Sequence, residues 1–454
     1  FGFQYAEVET DIDFEPEDFK AIAVYSDMEQ VGYFECSNAK VNRFFQNTMW
    51  SMKSNFLDIP TDCPQRERLG WTGDGQVFFE TAHYIMDAAP VYRKWLHDFS
   101  DAQMDSGKLS AVIPYAGMAM TYDNTGASVG WGESSIIIPY RFWKRFDDET
   151  ILHDFYDLMR NYAMFIISNT GHKSKKAAKE NPYNRYVYEK GLHLGEWLEP
   201  KEFQDTPTSV KTEECTAYLH YAMRLMAEVA EMLKKTEDAT LFKEYADGAK
   251  KAYNYMFVKN GIIDTDRQAK LVRPLALGLL DGESKKNVQN RLVRAVENQQ
   301  YCVGTGFLST PFILQMLTEA ERSDVAFKML ENEKAPSWLA EVNAGATTVW
   351  ENWDGSESRN HYSPGSICAW LFDTIAGIRM CGTNHFLIAP MLGGTLTFAS
   401  AKYVSLYGKV ATHIEKNING YIFEVSIPVN TTAEIKLPNG EKHSVSTGKY
   451  VYTF

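Results

Sequence analysis

A chain of 454 residues is too long for one small core, so a barrel-sized domain with a smaller companion is expected. Its formal net charge of -13 opposes binding to nucleic acid, whose phosphates would repel it at long range, and no apolar run approaches a membrane span. The 6 cysteines are dispersed without a CxxC pair, which indicates free buried thiols rather than a disulfide framework or a zinc site.

In chain order, residues 1–35 alternate like short strands at Phe3–Val8 and Ala21–Tyr25 and read as the end of an upstream β domain. The start at Phe1 without Met leads to the expectation that the native N-terminus, with any targeting peptide, lies upstream. From Ser37, an expected N-cap, the period becomes helical, with Val41, Phe44, Phe45, Thr48, Met49 and Met52 on one side. Further helices are expected at about 75–88, 91–105, 133–145, 148–168, 211–234 and 238–257. Others follow at about 271–280, 283–298, 310–318, 320–332 and 364–378. About twelve helices suit a double ring of six helical hairpins. Some links are tight, whereas 106–132, 171–210 and 333–363 are long and rich in Trp, Gly and acid, as loops that assemble a pocket on one rim would be. The basic stretch Lys173–Lys176 reads as a solvated loop. Residues 386–454 return to period two, with turn signals at Asn419-Gly420 and Asn439-Gly440, and form an expected antiparallel β-sandwich.

The densest chemistry lies in Asp62-Cys63-Pro64-Gln65-Arg66-Glu67-Arg68-Leu69-Gly70-Trp71-Thr72-Gly73-Asp74. Three carboxylates, two guanidiniums and an indole in one short segment can bind a sugar ring and move protons. The competing reading is a buried ion-pair network that locks a loop between helices.

This segment resembles the bacterial α-L-rhamnosidase family, inverting glycosidases built on an (α/α)6 barrel. So does Ala346-Thr347-Thr348-Val349-Trp350-Glu351. Gly130-Trp131-Gly132, Gly195-Glu196-Trp197-Leu198, Gly304-Thr305-Gly306-Phe307 and Asn360-His361-Tyr362 extend the match in the family's order. The resemblance implies a mainly α chain: an (α/α)6 toroid over 36–385, preceded by a short β segment and followed by a C-terminal antiparallel β domain. It also implies an exo-acting enzyme that releases terminal L-rhamnose from glycosides or polysaccharides and needs no cofactor; a bacterial periplasmic or cytoplasmic location is compatible with it, and the sequence does not fix the compartment. A homodimer is compatible with it.

Glycoside hydrolysis needs an acid to protonate the leaving oxygen and a second carboxylate at the anomeric carbon. By the resemblance Glu67 is the general acid and Glu351 the general base, with Glu341 and Asp354 as rivals for the second role. Asp62, Arg66, Trp71 and Asp74 are assigned to substrate binding, and Trp131, Trp197 and His361 match positions around the sugar. Glu133 and Glu196 stand where the family most often has Asp; each adds a methylene that would reshape the pocket. No EF-hand loop, His pair at helical spacing or phosphate loop is present, so no metal site is assigned. Two alternatives stay open: an (α/α)6 glycosidase for another sugar, and a glycan-binding protein that has lost catalysis.

Overall fold

The computed structural model describes residues 2–3, 5–117, 128–206 and 209–454. Its helices wind as an (α/α)6 toroid, which begins with α1 (Ala39–Asn55). The expected apolar positions of α1 are all buried, at the three- and four-residue spacing that puts them on one face. The cap is one residue later than expected. Asn38 Oδ1 accepts from the Lys40 and Val41 amides, while Ser37 Oγ accepts from Thr397 N–H of the C-terminal β region.

The ring continues through α2 (Thr72–Ile85), α3 (Ala89–Ala102), α4 (Ser134–Phe146) and α5 (Thr150–Ser168). A short α6 (Lys175–Glu180) precedes the longest hairpin, α7 (Thr212–Met232) with α8 (Thr236–Phe257). Then come α9 (Gln268–Ala276), α10 (Gly282–Asn298), α11 (Thr310–Glu319), α12 (Ser323–Leu330) and α13 (Trp338–Asn343). The helix expected at 364–378 is instead a relay: a 3-10 turn over Ser363–Ile367, one α turn, and a π turn over Leu371–Ile375. Both short helices, α6 and α13, lie in links expected as loops; Ser174 and Ser337 cap them through their hydroxyls.

The described residues of Phe3–Val8 and Ala21–Tyr25 form no strand, and Phe3, Tyr5, Ile22 and Val24 are exposed. Alternation there finds no partner strand, and a strand exists only in a sheet. The N-terminal strand that does form is β1 (Gly32–Cys36). Two residue pairs, β2 (Phe56–Leu57) and β3 (Ile59–Pro60), make a miniature hairpin just before the acidic segment. The C-terminal part comprises β4 (Ile378–Met380), β5 (His385–Ile388), β6 (Phe398–Ser405), β7 (Gly408–Asn417), β8 (Gly420–Ile427), β9 (Thr432–Lys436), β10 (Lys442–Val445) and β11 (Gly448–Thr453). Five strands run in the order β1-β6-β7-β8-β11 and four in the order β10-β9-β5-β4. The pairing is antiparallel except for β5 with β9, so β1, from before the toroid, is stitched into a sheet formed after it. Among the described residues no helix is long and apolar enough to cross a membrane.

Candidate active site

Five segments of the toroid converge on one cavity of about 460 Å³: residues 62–74, Trp131, residues 194–198, Phe307, and residues 351–361. The first segment folds on itself. Asp62 N–H donates to Leu69 O at 2.9 Å, and Leu69 N–H returns to Asp62 Oδ1 at 2.9 Å, pinching residues 63–68 into a loop. Within it Glu67 N–H donates to Cys63 Sγ at 3.3 Å, and Arg68 takes the left-handed conformation at φ 57°. Arg66 and Glu67 thereby line the cavity, and α2 supplies Asp74 from its first turn. Gly73 lies against Trp131; a Cβ there would sit 2.4 Å from the indole, so glycine allows α2 to approach that wall.

The 351–361 segment is held by its own backbone. Glu351 N–H donates to Ser358 O at 2.8 Å, Ser358 N–H returns to Glu351 Oε2 at 3.1 Å, and His361 N–H donates to Val349 O at 2.9 Å. Glu351 is thus buried but still on the cavity wall.

Arg66 joins the two segments. Its Nη2 lies 3.1 Å from Glu67 Oε1 and 3.0 Å from Glu351 Oε2, and its Nη1 lies 2.6 Å from Glu357. The two carboxylate oxygens that share Nη2 are therefore no farther apart than the sum of its two contacts. Trp71 Nε1–H donates to the other Glu67 oxygen at 2.8 Å.

Asp74 Oδ1 accepts from Ser363 Oγ at 2.7 Å and from His361 Nε2 at 2.6 Å. Burial opposes charge on the His361 ring, but the hydrogen bond to Asp74 and the charges of Asp74, Glu351 and Asp62 outweigh it and raise the imidazole to about 9. Its Nδ1, 3.9 Å from Glu351 Oε2, has no hydrogen-bond partner among the described residues. Burial pushes the Asp62 carboxyl up to about 6, against the His361 charge and the hydrogen bonds from Cys63 and Leu69.

A raised histidine pKa means that the folded chain holds the proton more tightly than the unfolded one. The stability gained is complete below about pH 6.5, the unfolded value, and is lost as pH rises through about 9. Imidazole NMR should find His361 still protonated at pH 8, and Asp74→Asn should move its titration down by more than one pH unit. A wild-type ring that titrates at or below 6.5 would contradict the assignment.

Asp62, Arg66, Glu67, Trp71, Asp74, Trp131, Trp197, Glu351 and His361 all line the cavity. Glu133 and Glu196, expected to bind substrate, do not. Glu133 lies behind Trp131 at the start of α4: its Oε2 accepts from Gly130 N–H at 2.7 Å, its Oε1 has no hydrogen-bond partner among the described residues, and burial raises it to about 8. Glu196 is turned into a buried cluster, 2.6 Å from Arg273 and accepting from the Gly306 and Ser309 amides at 3.1 and 2.8 Å. In both, the carboxylate faces backbone amides rather than the cavity. Of the rivals to Glu351, Glu341 is fully buried and accepts from Trp350 N–H at 3.2 Å, and burial holds its carboxyl well above the usual range. Asp354 is exposed and paired with Lys201 at 2.7 Å. Four lining residues were not assigned from sequence: Leu194, Leu198, Phe307 and Glu357. Phe307 stands in a motif that had been singled out, and its ring packs on His361 at 5.2 Å; Glu357 carried no local signal.

With this geometry in hand, the chain can be compared with known proteins. Residues 29–375 match the family described as bacterial alpha-L-rhamnosidase 6 hairpin glycosidase domain, and residues 379–451 match the bacterial alpha-L-rhamnosidase C-terminal domain. An alpha-L-rhamnosidase of Formosa agariphila is 32% identical over 455 residues, covering 96% of this chain and 47% of that protein. The crystal structure of an Aspergillus terreus α-L-rhamnosidase superposes with a TM-score of 0.85 at 32% identity, over 95% of this chain and 51% of that one. That of a Streptomyces avermitilis alpha-L-rhamnosidase complexed with L-rhamnose gives 0.85 at 29% identity, over 95% and 43%. The chain thus spans about half the length of these relatives or less.

Proposed function

The chain belongs to the bacterial α-L-rhamnosidase family, and on that premise we propose that it is an exo-acting, inverting glycosidase that removes terminal L-rhamnose. The observation that carries this reading is the convergence of Glu67 and Glu351, distant in sequence, on one cavity bridged by Arg66. Glu67 delivers a proton to the glycosidic oxygen. Glu351 takes one from the water that attacks the opposite face of the anomeric carbon.

An inverting pair stands roughly 6.5–9.5 Å apart to admit that water. Arg66 Nη2 bridges the nearest oxygens of the two carboxylates, and its Nη1 is bonded to Glu357. Asp62 and Asp74 accept from sugar hydroxyls. The Trp131 indole, packed against Gly73, supplies part of the wall. Leu194, Trp197 and Phe307 offer the apolar surface that a C5 methyl group requires.

Proton NMR of the first-formed sugar tests the reaction directly. α-Linked substrate should yield β-L-rhamnose before mutarotation. An α product would remove Glu351 as base and make it a nucleophile, while cleavage of another aryl glycoside with the rhamnoside untouched would remove the substrate assignment.

A further inference from the structure

Five carboxylates line the cavity: Asp62, Glu67, Asp74, Glu351 and Glu357. Four belong to its inner part, where Asp62, Asp74 and Glu351 are buried and the Glu67 side chain is 25% exposed. Glu357 differs. Its side chain is 45% exposed, which puts it at the mouth, on the side from which a leaving group must extend once the terminal sugar is inside.

The lining cations are as unevenly placed. Among the described lining residues they are His361, buried against Asp74, and Arg66, whose two terminal nitrogens are both engaged by carboxylates. Lys201, near the same rim, is paired with Asp354. A carboxylate carried into this mouth would meet five lining carboxylates against two lining cations, an acidic excess to which Glu357 contributes at the rim even while paired with Arg66. Resting on the hydrolase reading above, we propose that Glu357 selects against anionic leaving groups, so that the rhamnose removed by this chain is attached to a neutral sugar or alcohol.

The physics is that of a like charge at a partly solvated rim. It discriminates between partners more than it adds affinity, and it is screened by salt. Glu357→Gln removes the repelling charge and frees Arg66 Nη1, a planar donor suited to a carboxylate, for a uronate.

The experiment uses two rhamnosyl disaccharides, in the linkage the protein cleaves best, that differ only at C6 of the leaving sugar: a hydroxymethyl group in one, a carboxylate in the other. An aryl α-L-rhamnoside serves as reference. In low salt the wild-type protein should cleave the neutral disaccharide with a kcat/KM about tenfold above that of the uronate, and salt should narrow the gap. Glu357→Gln should bring the ratio to within about threefold, and Glu357→Lys should invert it. Equal wild-type rates, or a ratio that neither substitution moves, overturn the role of Glu357 while leaving the hydrolase reading intact. If none of the three rhamnosides is cleaved, the hydrolase reading falls and this inference falls with it.

Discussion

Glu67→Gln and Glu351→Gln should each lower kcat on a rhamnosyl disaccharide by about 10²–10⁴-fold while leaving the Kd for free L-rhamnose within about threefold. The amide keeps the shape of each side chain. In Glu67→Gln the carbonyl oxygen can still accept from Trp71 Nε1, so the loop from Asp62 to Leu69 has no reason to reopen. What is lost is the proton to be delivered or the base to receive one. The two roles separate with the leaving group. A nitrophenolate departs with little protonation, so Glu67→Gln should recover much of its rate on an aryl rhamnoside, whereas Glu351→Gln should be as slow on both substrates. If the two variants exchange these behaviours, acid and base are assigned the wrong way round. If neither loses activity, both assignments fall and the chemistry occurs elsewhere; the glycan-binding alternative instead requires that the wild-type protein bind L-rhamnose and turn nothing over.

How much of this was legible in the sequence depends on range. The apolar stripe of α1 and the change to period two after the toroid are local patterns, and the structure follows them, with the cap displaced from Ser37 to Asn38. The broken end at residues 363–375 is not announced locally: Pro364 suits the first turn of a regular helix, and hydrophobic spacing alone conceals the 3-10 and π turns. Strand pairing is not local. The N-terminal alternation predicted strands that have no partners, while β1 pairs with β6, hundreds of residues away. The cavity divides in the same way. Residue types announced the acidic loop, but the Arg66–Glu357 pair joins segments that only the closed ring brings together. Glu133 and Glu196 were misplaced because adjacency to a wall tryptophan does not say which way a side chain turns. Both turn toward backbone amides, which satisfy Glu196 and one of the two oxygens of Glu133.

Arg273→Met should destabilise the protein by about 3–5 kcal/mol, read as a lowered midpoint in urea and in a thermal scan. Arg273 lies on α9, 2% exposed, with Nη2 2.6 Å from Glu196 Oε2 and Nη1 bonded to Glu213, which also accepts from Tyr253 OH at 2.7 Å. Removing the cation leaves two carboxylates in a dry interior, and that uncompensated charge, rather than the lost attraction, is the larger part of the cost. The consequence should reach the cavity. Glu196 Oε1 accepts from Gly306 and Ser309, and Phe307 N–H donates to Trp197 O at 2.9 Å, so one carboxylate ties together the two segments that carry the Trp197 and Phe307 walls. Their backbones touch: a Cβ on Gly306 would fall 2.2 Å from Trp197 O, which leaves no room for the clamp to slacken without moving both rings. Glu196→Gln, which keeps an acceptor for the two amides, should therefore cost less stability than Glu196→Ala and raise KM less, with kcat nearly unchanged in both. A double-mutant cycle between positions 196 and 273 should return a coupling of about 1–3 kcal/mol. A loss below about 1 kcal/mol in Arg273→Met would mean that water reaches the cluster and that the ion pair does not fix the walls.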